Sequence, residues 1–225
     1  MTKKIAAIIV SLFLFTGACY AQRLDKFVSE TGKVVRINKE QSIPYREVIT
    51  YFGYIKPGSE PDEIRDSLNY YNFYFWLSDS VSEIGVRIIS PVPDVVMPDR
   101  GDLTSENYFE NEKNKENYFD TWISLERADS IFTKGEALLN QKKINWMLLG
   151  SNDDSPELFV QPSGKNSNSL VRIVSNPVNR LSRGLYKIAF TSPKQKELKG
   201  SYILQLGMTS KLQETKLVKK LPELK

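Results

Sequence analysis

Six aromatic side chains crowd the stretch Asn69–Leu77: Tyr70, Tyr71, Phe73, Tyr74, Phe75 and Trp76. Successive side chains of an extended chain point to opposite faces, so this run is apolar on both. A strand of that kind belongs inside a sheet covered on both sides. A stacking platform for sugars or peptides is the alternative use of such a cluster. Tyr118–Arg127 shows the other strand pattern. Phe119, Thr121, Ile123 and Leu125 fall on one face and would line a core.

Further strand signals surround these two. Ile49–Ile55 is β-rich and is closed by Lys56-Pro57-Gly58 and Pro61-Asp62, and Gly85–Ser90 is ended by Pro91 and Pro93. Ser169–Val174, Gly184–Thr191 and Gly200–Met208 follow, divided by Asn176-Pro177 and by Pro193 with a charged turn. Thr133-Lys134-Gly135-Glu136 has capping-box spacing ahead of Ala137-Leu138-Leu139 and predicts a short helix. Residues 92–117 read as polar loop, with Glu106–Glu116 a solvated charged surface. Arg100-Gly101-Asp102 within it matches the tripeptide read by integrins, and a Gly-Asp turn accounts for it equally. From Lys211 onward, lysines alternate with Leu212, Leu217, Val218 and Leu221, a pattern expected to form an amphipathic helix docked on the domain. About seven or eight strands with few helices imply a mainly β protein, a β-sandwich or jelly roll with a few short peripheral helices.

Lys3 and Lys4 precede an apolar segment, Ile5–Phe15, too short to span a bilayer. Thr16-Gly17-Ala18-Cys19 follows, which reads as a relaxed lipobox with Cys19 as the lipidated first residue of the mature chain. Cleavage after Ala21, leaving Gln22 first and the protein periplasmic or secreted, is the alternative. Either processing exports the chain. The organisation is thus a signal peptide over residues 1–18, a tether and early strand over 19–45, the sandwich over 46–210 and a helical tail over 211–225. Cys19 is the only cysteine, so the mature domain has no internal disulfide and depends on its core.

The 225 residues contain no histidine, which removes Ser-His-Asp and Cys-His catalysis and the usual His-containing zinc centres. Basic and acidic residues number 31 and 27, too balanced for a nucleic-acid groove. Asp120 and Thr121 set a carboxylate beside a hydroxyl at a strand entry, both hard donors of the kind calcium takes. Two donors fall short of calcium's 6–8 oxygens, and Asp120 could instead cap the preceding turn. Asp153 and Asp154, in an acidic turn over Gly150–Pro156, repel each other and favour solvation or a shared cation.

Several stretches together carry a family resemblance. They are Phe52-Gly53-Tyr54-Ile55-Lys56-Pro57-Gly58, Gly85-Val86-Arg87-Ile88-Ile89-Ser90-Pro91, Phe119-Asp120-Thr121-Trp122-Ile123, Asn168-Ser169-Leu170-Val171-Arg172-Ile173, Arg183-Gly184-Leu185-Tyr186-Lys187-Ile188 and Lys199-Gly200-Ser201-Tyr202. In this order the chain resembles the major outer-membrane surface lipoprotein of Leptospira and its homologues. The resemblance implies a jelly-roll sandwich, a lipid anchor at Cys19, no enzymatic activity, one calcium site and, in pathogenic members, binding to extracellular-matrix proteins. It also implies calcium ligands at Asp120 and Thr121 and in an acidic loop near Asp153 and Asp154. That loop is shorter here than in the family, and Ser167 stands where the family has a liganding tyrosine. A weakened calcium site is the expectation.

The sequence therefore leads to a lipid-anchored surface module at the outer membrane or cell surface. Two rivals stand beside it: a structural envelope protein without a specific ligand, and a glycan-cleaving enzyme using carboxylates such as Glu126 and Asp154.

Overall fold

The computed structural model describes residues 27–114, 116–129, 133–153, 167–211 and 215–224. The chain opens with a hairpin of β1 (Val28–Arg36) and β2 (Lys39–Pro44), then continues through β3 (Glu47–Ile55), β4 (Glu63–Arg65), β5 (Leu68–Leu77), β6 (Glu83–Ile89) and β7 (Leu103–Thr104). After the short helix α1 (Tyr108–Asn111) come β8 (Trp122–Asp129), α2 (Lys134–Leu139) and β9 (Asn145–Asp153). Strands β10 (Asn168–Val174), β11 (Gly184–Thr191) and β12 (Gly200–Met208) complete the fold.

Beside the two-stranded β1-β2 hairpin, two five-stranded sheets form, ordered β10-β6-β12-β3-β7 and β4-β5-β11-β8-β9. Their eight principal strands interleave as 10-6-12-3 against 5-11-8-9, with every pairing among them antiparallel. This is the strand order of a jelly roll, the expected fold.

Alternation explains the layers. On β5, Tyr71, Phe73, Phe75 and Leu77 enter the core between the sheets, while Trp76 and the half-buried Tyr74 face outward into a second apolar cluster. The doubly apolar run is therefore a strand covered on both faces, as its sequence requires. Phe119, Ile123 and Leu125 meet the same central core, with Phe119 stacked on Phe190 at 6.0 Å. Gly53 is needed opposite Tyr202, because a Cβ there would fall 2.3 Å from the tyrosine ring.

Both outer faces are covered. Val92, Val96 and Tyr108 close over Phe52 and Ile203, so the segment read as solvated surface carries a buried tyrosine on α1. Asp102 donates its amide to the Asp99 carbonyl (3.0 Å), and Asp99 donates its own amide to Asp102 Oδ2 (2.8 Å), so Arg100-Gly101-Asp102 closes a turn in that loop. Val218, Leu221 and Leu224 pack over Trp76 and Leu185 on the other sheet.

Among the described residues, the expected C-terminal helix is helical only over one 3₁₀ turn, Leu221–Leu224, and Leu212 lies outside them. Upstream the chain runs extended: Tyr74 and Val218 exchange backbone hydrogen bonds of 2.8 and 2.9 Å, and Leu217 enters the central core. Pro222 has no N–H with which to extend a helix, and the open edge of β5 offers the tail backbone partners instead. The predicted helix near residue 134 is present as α2, with both hydrogen bonds of the Thr133–Glu136 capping box. Gly150–Asp153 belongs to β9 rather than to a turn.

Candidate functional site

Asp120 and Thr121 lie where the chain drops into β8. Gly200, at φ +121°, makes room for this entry: a Cβ there would collide with the Asn117 carbonyl. The Ser90 hydroxyl donates to the Ser201 carbonyl (2.9 Å) and accepts from the Phe119 amide (3.2 Å), tying the entry to the opposite sheet. Ser169 donates to the Thr121 carbonyl at 2.8 Å, and its Oγ lies 2.8 Å from Thr121 Oγ1. A serine hydroxyl has one proton. With that proton given to the carbonyl, Thr121 must donate to Ser169, which leaves the acceptor side of Thr121 Oγ1 available.

The Asp120 carboxylate sits 3.2 Å from the ammonium of Lys194, a largely exposed side chain. Asp153 ends the described part of β9, exposed, and pairs across the ladder with Trp122, the residue after Thr121. Cys19 and Asp154 lie outside the described residues. Ser167 is buried, and its carbonyl already accepts from the Ser90 amide at 2.9 Å. Among the described residues no group of three or more Asp, Glu, His or Cys is placed to hold a metal ion. The donors at this end of the sandwich nevertheless fit a hard cation in kind: two carboxylates, a hydroxyl with an available lone pair, and a displaceable lysine already drawn to Asp120.

A second polar cluster occupies the outer face of the β5-β11-β8 sheet. Glu126 on β8 and Lys187 on β11 are direct cross-strand partners, both almost fully buried, with Nζ and Oε2 2.7 Å apart. Arg65 of β4 reaches Glu126 at 2.6 Å and Glu63 at 2.6 Å. Its guanidinium also lies 4.9 Å from the centre of the Tyr70 ring, and Lys187 lies 4.5 Å from that of Trp146. The hydrogen bond from Arg65 holds Glu63 below the usual carboxylate range, against the opposing effect of burial. A glycosidase acid must present a proton to the leaving-group oxygen. Glu126 instead turns both oxygens toward cations in a closed cluster.

A third arrangement fixes the N-terminal hairpin. Glu83, fully buried at the start of β6, accepts from Tyr45 Oη (2.5 Å), Ser29 Oγ (2.8 Å) and the amides of Thr31 (2.9 Å) and Glu30 (3.1 Å). Phe27, Tyr45 and Leu170 pack beside it. Sequence reasoning missed Glu83 because it flanks a strand whose apolar residues dominate the pattern. The signal was a carboxylate at the first position of a strand otherwise buried on both faces.

The strand order and the closed outer faces define a jelly-roll β-sandwich domain. The model of the Lipl32 family, surface lipoproteins of the Spirochaetales order, matches residues 39–217, and the chain belongs to that family. It is accordingly a surface lipoprotein of the outer membrane or cell surface. No curated protein matches the chain.

Proposed function

We propose that the protein is a non-enzymatic binding module, held at the membrane by acyl chains on Cys19, which presents its sandwich to extracellular-matrix proteins and takes calcium at the Asp120 end. The observation that carries this reading is the family match over residues 39–217. The closure of Glu126 by Arg65 and Lys187 supports a scaffold over a glycan-cleaving centre. Immobilised matrix proteins should capture the purified domain saturably, and glycan substrates should remain uncleaved. Turnover of a glycan, or matrix capture that never saturates, would sink the reading.

Asp120, Thr121, Asp153 and Asp154 would hold the ion, which supplies positive charge between carboxylates and needs no redox role. Lys194 supplies that charge to Asp120 when the ion is absent. Ser167 provides no phenolic oxygen, so binding falls at the weak, extracellular end of the calcium range, about 10⁻⁴–10⁻³ M. An ion bound only by the folded state stabilises it by about 2.7 kcal/mol at a hundredfold excess over Kd. Thermal melts in calcium and in chelator should therefore differ, and Asp120→Ala should remove the difference while leaving the domain folded. Identical midpoints for the unaltered protein would reduce Asp120 and Thr121 to a strand-entry turn.

A further inference from the structure

The hairpin β1–β2 stands apart from the rest of the surface. Of the 14 large apolar side chains exposed among the described residues, four lie on it: Val34, Val35, Ile37 and Ile43. Val35 is 73% exposed and Ile37, at the tip, 98%. Ile37 and Asn38 form the two-residue turn, both with positive φ, at 50° and 59°. Such a turn favours Asn or Gly at both places. A β-branched residue is a genuine outlier in this region of backbone space. Asn38 suits its place, whereas Ile37 is unfavourable there twice, through backbone strain and through exposed apolar surface. Local rules broken together without a compensating contact mark a functional position.

We infer that the hairpin tip docks into the lipid surface to which the chain is tethered, an inference that rests on the Cys19 anchor proposed above. Phe27, at the hairpin base, is eight residues beyond Cys19. A tether of that length spans at most about 28 Å. The hairpin itself, with nine residues in β1, projects about 30 Å. Its tip therefore reaches the bilayer whenever it is turned toward the anchor. The Glu83 clamp and the Phe27–Tyr45 contact hold its base to the sandwich, so the tip is presented on a fixed arm. Lys33–Glu40 carries three basic residues and one acidic. Lys33 is shared by Glu30 and Glu40 at 3.3 and 3.5 Å. Charge thus adds a mild attraction to anionic headgroups, and Val35 with Ile37 supply the insertion. Stable anchoring takes more than one membrane signal, and an inserted tip would add one to the acyl anchor and fix the orientation of the domain above the surface.

The test couples the Cys19 thiol of the mature chain to a maleimide phospholipid in vesicles of phosphatidylcholine and phosphatidylglycerol. This supplies the tether whether or not the cell acylates Cys19, so an unmodified cysteine in cell-derived protein would overturn the anchor alone. Amide hydrogen exchange over residues 33–40 should slow about tenfold on vesicles relative to the detached chain, a factor that partial burial of two aliphatic side chains supplies. The double variant Val35→Ser with Ile37→Gly should lose that protection and yet melt no lower than the parent, because glycine relieves the positive-φ strain. Unchanged exchange at the tip would overturn the inference. So would protection that rises with protein concentration in the absence of vesicles, which would assign the tip to a second copy of the chain.

Discussion

Glu126→Ala is expected to lower the unfolding free energy by about 3–5 kcal/mol, because it leaves buried Lys187 without its closest counter-charge. Lys187 is 1% exposed, and its other carboxylate partner, Glu63, is more distant at 3.5 Å and half-open to solvent. Trp146 beneath it offers a cation–π contact that offsets only part of the lost attraction. Lys187→Met alone should also destabilise, since it leaves Glu126 facing Arg65 only. The paired replacement Glu126→Leu with Lys187→Met is expected to fall within about 2 kcal/mol of the parent, because it removes the desolvation penalty of both ions together. Arg65 then keeps Glu63 at 2.6 Å. Urea unfolding of the parent, Glu126→Leu, Lys187→Met and the paired variant closes a double-mutant cycle. Additive losses would show that the pair is not coupled.

The fold was legible because its strands carry their environment in their pattern. Asn69–Leu77 is apolar on both faces and is covered on both faces. Gly184–Thr191 and Gly200–Met208 have the bounds their turn residues imply. What was not legible lies at edges and in long-range contacts. β9 begins with Asn145 and ends Gly150-Ser151-Asn152-Asp153, a composition poor in strand formers, and most of it is exposed or half-exposed. Its bulge opposite Leu125 and Glu126 disturbs the alternation as well. Tyr108 sits in a charged segment, and its burial depends on Phe52 and Ile203, which lie far away in sequence. The tail carries the apolar spacing of a helix, but the unpaired edge of β5 captured it as an extended segment. At the candidate site, Asp120 and Thr121 were readable as a pair of oxygen donors. The roles of Ser169 and Lys194 were not, because they arise from the packing of one sheet end against the other.

Glu83→Gln is expected to release the hairpin at its base, with a loss of about 3 kcal/mol in local stability. Four donors converge on this carboxylate, and hydrogen bonds to a charged group contribute about 1.5–3 kcal/mol each, with incomplete additivity. Glutamine offers one acceptor oxygen and turns an NH₂ toward groups that are themselves donors. Burial alone would raise the Glu83 pKa. The hydrogen bonds from Tyr45, Thr31, Ser29 and Glu30 outweigh it and leave the pKa below its ordinary value, while the same carboxylate helps burial to push the Tyr45 phenol far up. A carboxyl group with a depressed folded-state pKa contributes stability above its unfolded value, near 4.3, and loses it as the pH falls through the folded one. Protection of the amides over residues 28–44, taken relative to their intrinsic exchange rates, should therefore fall below about pH 4 before that of the sandwich strands. Glu83→Gln should show the fast hairpin exchange already at neutral pH, with little further acid dependence there. Hairpin and sandwich opening together at every pH, in parent and variant alike, would mean that Glu83 is one core contact among many. Separate opening would place the arm that carries Val35 and Ile37 under the control of a single buried carboxylate.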